Sequence, residues 1–200
     1  MRAGFPPFVW STLCCALLSI GCAKGCGPTS APPNALGKLP SFELVNQDGQ
    51  AFGSQDLDGK AYVASFFFTS CVTICPKILG AMSSLQTRFA HEKLDVQLVS
   101  FTVDPDTDTP EKLKAAGQKM GADFTSWTFL TGTKDQLKEV IVGGFKTFVG
   151  SREVVGDDLF DIGHGARLVL VDQGGFVRGN FETNEHGLAE LTRTARTLAR

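Results

Sequence analysis

The chain has 200 residues, of which 42% are hydrophobic and 20% charged, so it can fold around one core and is not disordered by composition. Its formal net charge of −2 argues against a nucleic-acid-binding protein, because such a protein needs a basic face to displace counterions. No uncharged stretch is both long and apolar enough for a polytopic membrane protein.

The N-terminus has the pattern of an export signal. No charge occurs between Arg2 and Lys24, and the apolar run inside this segment is shorter than a membrane-spanning helix requires. The run ends in a glycine followed by Cys22, which resembles a bacterial lipobox, although a serine replaces the usual leucine. We therefore predict a signal peptide over residues 1–21 and lipidation at Cys22, with the folded part outside the cytosol. An uncleaved membrane-spanning anchor is the alternative.

A flexible tether is predicted between the signal and the folded domain. Residues 22–38 are rich in Gly, Ala, Ser, Thr and Pro and cannot bury enough apolar surface to fold. The domain is then expected to span residues 39–200. Of the six cysteines in the chain, this domain keeps only Cys71 and Cys75. Because an exported domain of this size needs no disulfide for stability, two cysteines so close together indicate a functional site.

The hydrophobic pattern of this domain predicts alternating strands and helices. An Asp-Gly turn indicates an N-terminal β-hairpin formed by Phe42–Leu44 and Gln50–Phe52. The later predicted strands are Ala61–Phe68, Val96–Val103, Trp127–Leu130, Arg167–Val171 and Phe176–Phe181. The predicted helices are Pro76–His91, Pro110–Gly121, Thr133–Val142 and Glu185–Leu198. Since proline disfavours helical geometry in the residue before it, we expect Cys75 to lie outside the first helix.

This order of elements indicates an α/β protein whose central mixed sheet is flanked by helices, with a parallel core and an antiparallel edge. The two cysteines lie between the first buried strand and the first helix. The fold that combines this order with a dithiol at this junction is thioredoxin-like. In such sheets, a loop between a buried strand and a helix N-terminus is the expected position of a ligand or a reactive group.

The dithiol could serve in redox exchange or in metal binding. Amide groups and the helix dipole stabilise a thiolate at a helix N-terminus, so the thiol pKa values should fall. Thioredoxin-type reductants separate their cysteines by two residues, whereas three residues separate Cys71 from Cys75. Peroxiredoxin-type sites need a hydroxyl residue three positions before the reactive cysteine and a proline seven positions before it. Phe68 and Ala64 occupy these positions, so the chain does not match that class. Two thiolates and an imidazole would suit copper, in particular Cu(I), and could also bind zinc. Ordinary half-buried thiols are the remaining alternative.

Three histidines are available to supply the imidazole. His91 ends a predicted helix among charged residues and His186 lies in the first turn of the last helix, so both are expected to face solvent. His164 stands between two glycines, just before a predicted strand. Glycines allow a close backbone approach, so this loop could present one side chain to the dithiol. We therefore predict His164 as the third donor.

Two other groups of potential ligands have a structural explanation. Asp104, Asp106 and Asp108 lie around two prolines, and such a segment is typical of turn formation and helix capping. Met82 lies at helical spacing with other apolar residues, which indicates a core position. Neither group is expected to bind a metal.

Three motifs in the domain resemble those of the Sco/SenC family. Phe68–Pro76 is similar to the family pattern F-T-x-C-x-x-x-C-P, and Val103–Glu111 is similar to V-D-P-x-x-D-T-P-E. Asp161–Asp172 resembles the segment D-x-x-H followed by L-V-D. The resemblance implies a membrane-tethered, thioredoxin-like copper chaperone that assists the dinuclear copper site of cytochrome c oxidase. By that resemblance Cys71, Cys75 and His164 would be the copper ligands.

Some positions depart from the family pattern. Val72 and Thr73 replace the proline and aspartate often found between the cysteines, Gly165 replaces a serine, and Val169 replaces an aromatic residue. All three ligands are kept, so these departures concern partner docking and redox tuning more than metal binding.

The resemblance implies a function in the cell envelope, with the domain in the periplasm or outside the cytoplasmic membrane. We predict delivery of copper, as Cu(I) and also as Cu(II), to the copper-site subunit of cytochrome c oxidase or another acceptor, or redox preparation of that site. One alternative is a thiol–disulfide reductase in which Cys71 and Cys75 form the redox-active pair without metal. Another is a copper- or redox-responsive signalling lipoprotein.

Overall fold

The structure is a computed structural model that describes Met1 and residues 31–156, 159–164 and 166–199, with the backbone alone over 152–164. The predicted signal peptide, Cys22 and the first part of the tether lie outside the described residues. The strands are β1 (Gly37–Lys38), β2 (Glu43–Asn46), β3 (Ala51–Gly53), β4 (Ala61–Phe67), β5 (Val96–Thr102), β6 (Trp127–Thr131), β7 (Val149–Gly156), β8 (Leu159–His164), β9 (Arg167–Val171) and β10 (Phe176–Glu182). The α-helices are α1 (Cys75–Glu92), α2 (Pro110–Lys119), α3 (Lys134–Lys138) and α4 (Glu185–Leu198). No helix in the described part of the chain is long and apolar enough to cross a membrane.

The central feature is an eight-stranded mixed sheet with the order β1-β10-β9-β4-β5-β6-β2-β3. Strands β4, β5 and β6 are parallel, and the neighbours on either side of them are antiparallel. Strands β2 and β3 form the expected N-terminal hairpin, and Gly49 in its turn has a φ of 76°, which suits glycine. The predicted α/β class, with a parallel core and an antiparallel edge, is confirmed.

The core forms around β4 and β5. All seven residues of β4 are buried, as their uncharged, Phe-rich sequence predicts for a strand covered on both faces. Phenylalanine rings from β4, β5 and the segment after α3 pack at centroid distances of 5.2–6.0 Å; they are Phe66, Phe101 and Phe145. Helix α1 packs against β4, β5 and α4 and buries one apolar stripe. Met82 in that stripe has no exposed surface, which confirms its predicted core position.

The start of α1 differs from the prediction. The helix begins at Cys75, one residue before Pro76, so the expectation that the proline keeps this cysteine out of helical geometry is wrong. The bias against helical geometry before a proline is a steric preference and is not absolute. Here the Cys75 amide donates to Cys71 Sγ at 3.4 Å, and this bond favours the helical start.

Two elements in the second half of the chain were not predicted. Strands β7 and β8 form a separate antiparallel hairpin, in which Val149 pairs with His164. Charged residues interrupt the apolar pattern of this segment, so periodicity gives little signal there. The capping box of Thr133 and Gln136 is confirmed, but the helix that it starts ends as a π-helical turn over Glu139–Gly144.

The folded unit begins before the predicted boundary at residue 39. Residues 31–200 form one compact unit, and the Leu36 amide donates to the Val177 carbonyl at 2.9 Å. Gly37 and Lys38 then pair with β10 as an edge strand. Such pairing uses backbone groups, which composition does not reveal. The end of the signal peptide at residue 21 and the lipidation of Cys22 remain predictions.

Candidate metal centre

The two cysteines of the domain lie at the junction of β4 and α1. A turn after β4 is closed by the Cys71 amide, which donates to the Phe68 carbonyl at 3.3 Å. Cys75 is the first residue of α1, and its amide is 3.4 Å from Cys71 Sγ. Neither cysteine is in a disulfide, and only 7% of Cys71 and 2% of Cys75 is exposed. The fold therefore brings two thiols together at a helix N-terminus, as the sequence predicts.

The environment of Cys71 favours its thiolate. Burial raises the pKa of this thiol, but hydrogen bonds with Cys75 and Thr73 lower it by more, so that the pKa lies below its ordinary value. The Thr73 hydroxyl is 3.5 Å from the sulfur. Because a thiolate is the form that attacks disulfides and binds soft metals, these contacts prepare Cys71 for either role.

The outer side of the cysteine turn is open to a partner. Val72 is 60% exposed, and Thr73 and Pro76 are exposed as well. Single exposed apolar residues are common on protein surfaces, so these residues show only that this side of the turn is accessible.

His164 ends β8, so the expectation that it lies in a loop is wrong. The strand forms because β8 pairs with β7 through backbone hydrogen bonds. A cleft of about 360 Å³ lies beside the start of α1 and the start of β9. Ile74, next to Cys75, lines one part of this cleft, and Ala166, two residues after His164, lines another. The role of His164 as the third donor stays a prediction, because its side chain lies outside the described part of the structure.

The other two histidines are exposed, His91 in the last turn of α1 and His186 in the first turn of α4, as predicted. Among the residues whose side chains are described, no three His, Cys, Asp or Glu side chains form a group that could hold a metal ion. The His164 side chain is outside that set.

A buried carboxylate that the sequence interpretation missed lies close to the cysteine turn. Asp108, with no exposed surface, accepts hydrogen bonds from the Thr69 amide at 3.0 Å and from the hydroxyls of Thr69 and Thr102 at 2.5 Å. Burial raises the pKa of Asp108, and these hydrogen bonds only partly offset the rise. The turn interpretation accounts for Asp104, whose carbonyl accepts the Asp108 amide at 3.0 Å. Thr109 is the N-cap residue of α2, so helix capping does not explain Asp108. A threonine directly before Pro110 was the sequence signal that Asp108 has another role.

The donors at this position fit copper. Two thiols are soft ligands of the kind that selects Cu(I), and zinc accepts the same ligands. The Ser70 hydroxyl, next to Cys71, is buried without a hydrogen-bond partner in the described part of the structure. This unsatisfied polar atom leaves capacity for one more polar contact beside the thiols.

Comparison with known proteins gives one consistent family. The family model described as SCO1/SenC matches residues 31–200. A protein of Stutzerimonas stutzeri, whose name ascribes copper binding to it, is 35% identical over 143 residues, which are 71% of this chain and 68% of the relative.

Two solved structures share the fold. A SCO1/SenC family lipoprotein from Bacillus anthracis str. Ames has a TM-score of 0.75 and 37% identity, over 84% of this chain and 98% of its own. BsSco, described as a member of the Sco family of cytochrome c oxidase assembly proteins with a disulfide switch, has a TM-score of 0.71 and 29% identity, over 85% of this chain and 96% of its own. Together with the sheet order and the position of the dithiol, these similarities confirm the thioredoxin-like fold.

Proposed function

We propose that this chain, which belongs to the SCO1/SenC family, is a copper-binding protein that assists the assembly of cytochrome c oxidase and carries copper as cargo. The observation that carries the proposal is the close pair of thiols, Cys71 and Cys75, at the start of α1. The copper binding ascribed to the Stutzerimonas stutzeri relative and the assembly role of the family of BsSco support it.

Copper would be bound by the thiolates of Cys71 and Cys75 and by the imidazole of His164. The soft thiolates favour Cu(I), and the imidazole is also a good ligand for Cu(II). The position of β8 supports the choice of His164, because Ala166 and Ile74 line the same cleft. Three protein ligands leave Cu(I) room for a fourth, so a ligand of the acceptor can bind before the chain releases the ion.

The site would act outside the cytoplasmic membrane, with the protein held in the cell envelope by a lipid at Cys22. The apolar segment that ends at this cysteine supports the proposal, and so does the similarity to a SCO1/SenC family lipoprotein. The tether before residue 31 would let the domain reach its acceptor, the copper-site subunit of the oxidase or another copper protein.

A second function, thiol–disulfide exchange, is favoured by the lowered pKa of Cys71 and by the disulfide switch described for BsSco. The Cys71 thiolate would attack a disulfide of the acceptor and displace one acceptor thiolate. Cys75 would then attack the mixed disulfide and release the second thiolate. The acceptor gains two electrons, and Cys71 and Cys75 become a disulfide. This reaction can prepare the cysteines of an acceptor for copper.

The assembly of cytochrome c oxidase in strains that carry single substitutions separates the two functions. Copper delivery requires His164, so His164→Ala should impair assembly as strongly as Cys71→Ser does. Thiol exchange requires only the two cysteines, so normal assembly with His164→Ala would favour the reductase. His91→Ala, at an exposed histidine in the last turn of α1, is the matched control and should behave like the wild type.

A further inference from the structure

The buried carboxylate of Asp108 connects two distant parts of the chain close to the dithiol. It lies between β5 and α2, and it accepts bonds from Thr69, which is 39 residues earlier in the sequence and follows β4. Its Oδ2 atom, which accepts the Thr69 amide, also accepts the hydroxyl of Thr102 at the end of β5. The ends of two parallel strands are therefore joined through one side chain.

Thr69 is held at two points by this carboxylate. Both its amide and its hydroxyl donate to Asp108, at 3.0 Å and 2.5 Å. Thr69 is also the first central residue of the turn that the Cys71 amide closes on the Phe68 carbonyl. A residue fixed at its amide and at its side chain cannot rotate without losing one of these bonds. These two bonds to Asp108 therefore fix the orientation of the turn, and with it the direction in which Cys71 points.

The carboxylate has no comparable task in its own loop. Thr109 provides the cap of α2 by accepting the Lys112 amide at 3.4 Å, and the Asp104 carbonyl closes the preceding turn. Across the described residues, no lysine or arginine forms an ion pair with Asp108. Burying a carboxylate away from a cation is costly. The carboxylate has two acceptor oxygens for the three donors around it. An asparagine side chain would have only one acceptor oxygen for the same donors.

We infer that Asp108 is a positioning residue for the candidate copper ligand Cys71, and that it acts through Thr69. The inference rests on the proposed function, because it treats Cys71 as a ligand. Partners that orient a metal ligand typically contribute about 10–100-fold to metal affinity. Loss of the Thr69 contact should therefore weaken Cu(I) binding, although neither Thr69 nor Asp108 would touch the metal.

The two threonines around Asp108 form a matched pair for the test. Thr69→Val removes a hydroxyl bond on the side of the cysteine turn, and Thr102→Val removes one on the side of β5. The Thr102 hydroxyl also accepts the Asp104 amide at 3.0 Å, so Thr102→Val should lower the denaturation midpoint at least as much as Thr69→Val. A purely structural role of the network would then affect Cu(I) binding at least as much in Thr102→Val.

Cu(I) affinity would be measured on the purified full-length chain by competition with a chromophoric chelator. We expect Thr69→Val to weaken Cu(I) binding by about 10-fold or more, and Thr102→Val to change it by less than about 3-fold. Thr69→Ser keeps the hydroxyl and should restore wild-type affinity. Equal affinities of Thr69→Val and the wild type would overturn the inference, as would an equal loss in Thr102→Val. If Thr69→Val does not fold, Asp108→Asn, which halves the acceptor oxygens, should show the same loss.

A second readout separates this inference from the proposed function. Equilibration with glutathione disulfide oxidises Cys71 and Cys75 to a disulfide and produces two glutathione thiols, which gives the reduction potential of the pair. If the wild type does not bind Cu(I), the copper function fails. The positioning role then stands only if Thr69→Val shifts this potential and Thr102→Val does not, and it fails if neither shifts it.

Discussion

Substitution of Cys71 by serine should leave the apo fold nearly intact and remove most of its stabilisation by copper. In the apo protein the sulfur accepts the Cys75 amide at 3.4 Å and lies 3.5 Å from the Thr73 hydroxyl. Serine offers an acceptor at nearly the same place, so the substitution should cost about 1 kcal/mol or less. For a chain of this size, that lowers the melting temperature by roughly 2–4 °C at most.

The effect of copper is much larger if Cys71 is a ligand. Free Cu(I) held at roughly 1,000 times its Kd stabilises the wild type by about 4 kcal/mol, because only the folded chain has the site. The corresponding rise in melting temperature is roughly 8–16 °C. In Cys71→Ser one of the two thiolates is missing, so the rise should fall to about 2–4 °C or less.

Thermal unfolding with and without Cu(I), at a free concentration fixed by a chelator, measures both effects. His91→Ala, at an exposed histidine in the last turn of α1, keeps both thiols and is the control, which should retain the stabilisation by copper. If Cys71→Ser gained as much stability from Cu(I) as the wild type, copper would bind elsewhere and the reasoning would be refuted.

Three further predictions concern acid–base behaviour and processing. The Thr73 contact lowers the pKa of Cys71, so Thr73→Val should raise it and move the pH profile of Cys71 alkylation to higher pH; an unmoved profile would contradict this. Burial raises the pKa of Asp108 above 3.8, so the folded chain binds this proton more tightly than the unfolded chain. The resulting stability is present at low pH and is lost as the pH rises through the folded pKa. The urea midpoint of Asp108→Asn should therefore increase relative to that of the wild type as the pH rises above about 4, and parallel pH curves would refute the assignment. Cys22→Ser should prevent lipidation and cleavage at that residue, and mass spectrometry showing wild-type processing elsewhere would rule out the lipid anchor.

The parts of the fold that sequence predicts well are those with a strong local pattern. Strand β4 is an uncharged run, α1 has apolar residues at helical spacing, and the Asp-Gly turn marks the hairpin of β2 and β3. The position of Cys71 and Cys75 follows from these elements, because a dithiol between a strand and a helix has only one place in such a sheet.

The remaining features depend on contacts between distant residues. The bond from Asp108 to Thr69 spans 39 residues, and no periodicity announces it. Strand β1 forms from backbone pairing alone. In each case a tertiary hydrogen bond decides the outcome, and the local sequence is neutral.

Titration of Cu(I) into the purified, reduced chain tests the central claim most directly. We expect one equivalent to bind tightly to the wild type and to His91→Ala, and much more weakly to Cys71→Ser, Cys75→Ser and His164→Ala. Oxidation of the two cysteines to a disulfide should abolish tight binding as well, because the ligands must be thiolates. Tight binding of Cu(I) by the oxidised chain, or by both cysteine variants, would contradict a copper site formed by Cys71, Cys75 and His164.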